Sequence, residues 1–85
     1  MARYRLLFKK SVAKDLRVIP NKDVSRILKR IRALADAPRP HGCEKLTDQE
    51  RYRIRQGSYR ILYEIQDEIL AVVVVKVAKR SEAYG

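Results

Sequence analysis

Hydrophobic and polar positions alternate from the start of the chain. Across Arg3–Phe8, Tyr4, Leu6 and Phe8 fall on one side and Arg3 and Arg5 on the other, the pattern of a half-buried strand. The period then lengthens. Val12, Leu16 and Ile19 recur at i, i+4 and i+7, which predicts a short helix capped by Ser11 and ended by Pro20. A second helix follows, capped by Asn21, with Val24, Ile27, Leu28, Ile31, Leu34 and Ala35 on its apolar face. Asp23 suits its first turn, and Pro38 and Pro40 stop it. The tight Ile19-Pro20-Asn21 corner makes the two helices an antiparallel hairpin.

After a loop over Arg39–Lys45 the period becomes two. Arg51–Arg55 and Tyr59–Ile65 alternate, with the turn Gln56-Gly57-Ser58 between them. Ile69–Val77 is nearly continuous apolar and rich in valine, which predicts a central strand covered on both faces. Asp67-Glu68 supplies the turn before it. The order β-α-α-β-β-β predicts an α+β fold, with the helical hairpin packed on one face of a mainly antiparallel four-stranded sheet. No repeat or linker divides the chain, so residues 1–85 are read as a single domain.

The register of the second hairpin follows from the same pattern. If Arg55 lies opposite Arg60, then Ile54 meets Ile61, Arg53 meets Leu62 and Tyr52 meets Tyr63. Tyr52, Ile54, Ile61 and Tyr63 then share the face turned to the helices, and Arg53, Arg55 and Arg60 share the other. A slip of one residue would bury arginines among apolar side chains, at a cost no such core tolerates. Like charges directly opposite destabilise a sheet by up to about 1 kcal/mol. With no acid adjacent, the trio reads either as an anion site or as a solvated edge of mobile arginines.

Charge sharpens that choice. Twenty Lys and Arg against ten Asp and Glu give a formal +10, so the partner is expected to be a polyanion: nucleic acid, an acidic protein or a membrane surface. A membrane fits least, because no apolar run approaches the roughly 18–20 residues needed to span a bilayer. The basic segments also lack an aromatic apolar face. Cys43 is the only cysteine, and the charged N-terminal residues precede no apolar signal region. Both point to the cytoplasm. No phosphate-binding glycine loop, HExxH or CxxC occurs, so neither a cofactor nor a metal is expected.

The remaining chemistry is sparse. His41 sits in the Pro40-His41-Gly42 loop and reads as decoration, and Cys43 reads as a partly buried, inert thiol. Lys9, Lys10, Lys14 and Arg17, and on the second helix Arg26, Lys29, Arg30 and Arg32, read as solvated faces. Phosphate contact is open to some of them. Arg80 leaves the last strand at the rim of the sheet, and Tyr84 follows four residues later. Folded back among cations, a phenol is favoured as phenolate and becomes a usable base. Packed on the surface or frayed, it does nothing.

The string Tyr52-Arg53-Ile54-Arg55-Gln56-Gly57-Ser58-Tyr59-Arg60-Ile61-Leu62-Tyr63 resembles the core motif of the RelE/ParE toxin superfamily. Lys45-Leu46 resembles the KL pair that precedes that core, and Pro38 with Gly42 its loop. Ala78-Lys79-Arg80 followed by Tyr84 resembles the ending of the RelE branch. The resemblance implies a ribosome-dependent endoribonuclease that cuts mRNA in the decoding site by attack of the 2′-hydroxyl on the adjacent phosphate. It implies an acidic antitoxin as partner, alongside mRNA and ribosomal RNA. By position, Tyr84 would be the general base, and Arg53, Arg55 and Arg60 would hold the phosphate. Arg80 would assist the leaving group or keep the phosphate in line, while Lys45, Arg51 and Lys79 would bind RNA. Two departures stand out. Relatives carry lysine where this chain has Arg53 and Arg55, and arginine, with a pKa above about 12, is a poor proton donor. The sequence also ends at Gly85, without the terminal helix of some relatives. Two other functions remain open: a gyrase poison of the ParE branch, and a catalytically silent RNA- or ribosome-binding module.

Overall fold

The computed structural model describes residues 3–46 and 51–79. Its elements run β1 (Arg5–Phe8), α1 (Lys10–Arg17), α2 (Asn21–Ala33), β2 (Glu44–Leu46), β3 (Arg51–Gln56), β4 (Tyr59–Gln66), one 3₁₀ turn (Asp67–Ile69) and β5 (Ala71–Lys79). The strands form one sheet in the order β1-β5-β4-β3-β2. All neighbours are antiparallel except β1 and β5, which run parallel.

The sheet therefore has five strands where four were expected. The added strand is β2, which pairs Glu44, Lys45 and Leu46 with Arg53, Tyr52 and Arg51. Three residues are too few to show a period, so the segment reads as loop in sequence. The expected central strand also shifts place. β4 is the middle strand, and β5 has Ala71, Val72, Val74 and Val77 buried but Val73 and Val75 only half-buried.

The helix starts differ too. Lys9 occupies the N-cap of α1 and Pro20 that of α2, and neither helix has a side-chain cap bond, so Ser11 and Asn21 do not cap. At Pro20 the carbonyl instead accepts from the Asp23 and Val24 amides. The ring fixes φ at −56°, and with ψ at 141° the chain turns into the helix without help from a side chain. Leu34 is the C-cap of α2, several residues before the prolines expected to stop it.

The hairpin register is the one expected, from Tyr52↔Tyr63 through Arg55↔Arg60. Gln56↔Tyr59 adds a further pair and leaves a two-residue turn. Gly57 holds φ +60° at its first position, which a type II′ turn assigns to glycine. Val12, Ile27, Ile31 and Leu34 from the helical segment bury against Ile54, Ile61, Tyr63, Val72 and Val74 of the sheet. β1 stops at Phe8, opposite Val74. Beyond it the Asp15 carboxylate of α1 accepts from the Val77 amide at 3.1 Å and lies 3.6 Å from the Lys76 ammonium. A helix side chain thus takes over a backbone donor that β1 leaves behind.

A polar network ties the loop after α2 to the far end of the sheet. Tyr52 and Tyr63 stack with centroids 5.8 Å apart, and the Tyr63 hydroxyl donates to the Pro38 carbonyl. Arg39 donates to the Tyr52 hydroxyl at 3.0 Å, and its guanidinium donates to both carboxylate oxygens of Asp67. The Tyr4 hydroxyl also donates to Asp67, at 2.6 Å. Burial pushes the Tyr63 phenol up, with Cys43 adding to the effect. Hydrogen bonds from Arg39, then Tyr4, hold Asp67 below the usual carboxylate range. A carboxyl group depressed on folding stabilises the fold above its unfolded value of about 3.9, and the contribution fades as pH falls through the folded value. Asp67→Asn should therefore melt below the parent protein at neutral pH, with the gap closing as pH drops from about 5 toward 3. Thermal melts across that range check it; a gap independent of pH would contradict it.

Candidate nucleic-acid interface

Alternation along β3 and β4 sends every second side chain away from the helices. On β3 these are Arg51, Arg53 and Arg55; on β4 they are Arg60, Leu62 and Glu64. Arg55, Arg60 and Ala78 form one row across the sheet. The next row holds Leu62, Arg53 and Glu44, and Arg51 stands opposite Glu64 in the row beyond. Arg53, Arg55 and Arg60 thus converge on a single sheet face.

They are not equally exposed. Arg60 is 5% exposed, so the picture of an edge of mobile, solvated arginines does not hold for it. A guanidinium withdrawn that far from water is held in place by its surroundings. The Arg53 side chain is 17% exposed and donates to Glu44 at 3.2 Å. Arg55 is exposed and forms no ion pair among the described residues.

The expectation that no acid adjoins the cluster is corrected. Glu44 pairs with Arg53, and Glu64 pairs with Arg51 at 2.6 Å. Glu64 could have been found from the hairpin register, which places it opposite Arg51. Glu44 could not, because it lies on the unread β2. Both acids sit on the side away from the hairpin tip, beside Arg51 and Arg53.

The other sequence-selected residues distribute differently. Arg51 joins the arginine face as a partner of Glu64. Lys45 stands opposite Tyr52 and Lys79 opposite Tyr59, which puts both on the helix-bearing side of the sheet. The structure does not bring these two lysines together with the arginines. Arg80 and Tyr84 lie outside the described residues. His41 is exposed in its loop, and Cys43 is half-buried beside Tyr63.

Two helices packed on one face of a mixed sheet form the α+β fold that this chain shares with RelE toxins. The sequence profile of the ParE toxin of the type II toxin–antitoxin system parDE matches residues 6–84. This chain therefore belongs to the ParE toxin family of type II toxin–antitoxin systems, within the RelE/ParE superfamily. Among solved structures it is similar to the archaeal RelE–RelB complex from Pyrococcus horikoshii, with TM-score 0.83 and 29% identity over 98% of this chain and 100% of that one. It is also similar to the RelBE2 toxin–antitoxin complex of Mycobacterium tuberculosis, with TM-score 0.81 and 26% identity, covering 92% and 99%. A mutant Escherichia coli RelE in the free state matches with TM-score 0.80 and 28% identity, covering 96% and 87%. The curated protein sequences hold no match.

The Glu44–Arg53 pair competes with any anion that binds Arg53. With the Glu44 side chain 52% exposed, such a pair contributes about 1 kcal/mol, so breaking it corresponds to about fivefold in affinity. Glu44→Gln should tighten binding of an uncleavable 2′-O-methyl RNA by up to about fivefold at low salt, with less gain at high salt. Fluorescence anisotropy measures this, and unchanged or weaker binding would contradict it.

Proposed function

We propose that this toxin is a ribosome-dependent mRNA endoribonuclease that acts in the decoding site. The observation that carries the reading is the convergence of Arg53, Arg55 and Arg60 on one sheet face at the hairpin tip. In this reading the RNA 2′-hydroxyl attacks the adjacent phosphorus while the bond from phosphorus to the 5′-oxygen breaks. The products are a 2′,3′-cyclic phosphate and a free 5′-hydroxyl. Guanidinium groups of Arg53, Arg55 and Arg60 bind the phosphate and offset the charge that develops on its oxygens, without calling on a metal. Tyr84 takes the 2′-hydroxyl proton, and Arg80 assists the leaving group or holds the phosphate in line. Both assignments come from position in the motif. The 5′-oxygen must also acquire a proton, and arginine suits that step poorly. Arg51 serves mainly as a partner to Glu64, while Lys45 and Lys79 contact RNA from the opposite side of the sheet.

An acidic antitoxin fits the same surface. Similar folds crystallise as complexes with RelB antitoxins, and a chain of net charge +10 attracts an acidic partner at long range. No helix among the described residues is long and apolar enough to cross a membrane, and action on ribosomes places the protein in the cytoplasm.

The family profile is that of ParE, which favours a second reading, a gyrase poison. Two assays separate them. The pure protein added to translating ribosomes should produce new mRNA 5′ ends, and Tyr84→Phe should lower the cleavage rate by about 10²–10⁴-fold with RNA binding retained. Gyrase supercoiling should be unaffected. An uncut message would defeat the nuclease reading, and inhibited supercoiling would establish the other.

A further inference from the structure

The hairpin tip has a second, cationic side. Between α2 and the β3–β4 turn lies a cleft of about 540 Å³ lined by Arg26, Gln56, Tyr59 and Lys79 among others. It adjoins a second hollow of about 370 Å³, which shares Arg26 and Gln56 and adds Lys29, Arg30 and Ala33. Arg26, Lys29 and Arg30 stand at i, i+3 and i+4, so they line one side of α2 about 5–6 Å apart. Among the described residues none of them, nor Lys79, forms an ion pair. Asp23, in the first turn of α2, is the one carboxylate lining these two hollows among the described residues.

We infer that these hollows form a binding track for the substrate RNA strand beyond the scissile linkage, continuous with the arginine face around the hairpin tip. The tip itself supplies the continuity. Arg55 and Arg60 point to the arginine face, whereas their chain neighbours Gln56 and Tyr59 line the cleft. A strand crossing the tip meets both.

The lining selects the occupant. An amphipathic helix needs large aliphatic or aromatic pockets for its apolar anchors. Here the aliphatic lining is Ala33 alone among the described residues. Cations, the Gln56 amide and the Ser58 hydroxyl suit a phosphodiester backbone. The strand's identity as RNA rests on the proposed nuclease function; the track itself rests on the lining.

The test compares uncleavable 2′-O-methyl RNAs of about three and about ten nucleotides. The variants are Arg26→Gln with Lys29→Gln and, as an equal loss of charge at the start of β1, outside both hollows, Arg3→Gln with Arg5→Gln. Each backbone contact to a single strand adds about 0.7 to the slope of log affinity against log salt. Loss of two contacts should lower that slope by about 1.4 for the long RNA, which is about sevenfold between 50 and 200 mM salt. The short RNA and the control pair should show no such change. Equal effects on both lengths, or a cleft variant that behaves like the control, would overturn the track. So would loss of an acidic helical peptide's binding with RNA binding intact, which would assign the cleft to a protein. If the long RNA uses the cleft but ribosomes leave the message uncut, the track stands and the nuclease reading alone fails.

Discussion

The cost of burying an unpaired guanidinium decides which way β3 and β4 face. Tyr52, Ile54, Ile61 and Tyr63 must meet the helices, and once they do, alternation leaves Arg53, Arg55 and Arg60 together on the other side. Packing and the arginine face are therefore two consequences of one register. The same strands that close the core present the cations, so the site is carried on a rigid hairpin rather than on a loop.

Counterions then set a gradient across that face. Glu64 and Glu44 partner Arg51 and Arg53. Arg55 stays exposed, and Arg60 is held almost out of water. At the hairpin tip the turn also brings the α2 cations close on the reverse side. Away from the tip, the Arg39–Asp67–Tyr4 network and the Tyr52–Tyr63 stack anchor the loop after α2 to the sheet. One end of the sheet is tied down by internal polar bonds, while at the other Arg55 reaches solvent and Arg60 is held inside.

Strong periodicity made most of this legible in sequence. The hairpin could be registered residue by residue because four large apolar side chains and three arginines admit a single phase. Where periodicity gave out, so did the reading. Glu44-Lys45-Leu46 is too short to reveal β2, and with it went the counterion of Arg53. Choosing caps by residue type favoured Ser11 and Asn21, but backbone geometry at Lys9 and Pro20 starts the helices without side-chain bonds. Asp67-Glu68 was legible as a reversal, but not as a 3₁₀ turn closed by Leu70 in the left-handed region at φ 50°. Position in the motif groups Lys45 and Lys79 with the arginines as RNA-binding, whereas strand parity puts them on the other side of the sheet.

In the proposed function a phosphodiester lodges against Arg53, Arg55 and Arg60. The arginine side-chain N–H signals, followed by NMR while an uncleavable RNA is added, report on it directly. These three should shift first and together, ahead of Arg3, Arg5 and Arg17. Shifts spread evenly over all arginines, or confined to residues away from the hairpin tip, would contradict it.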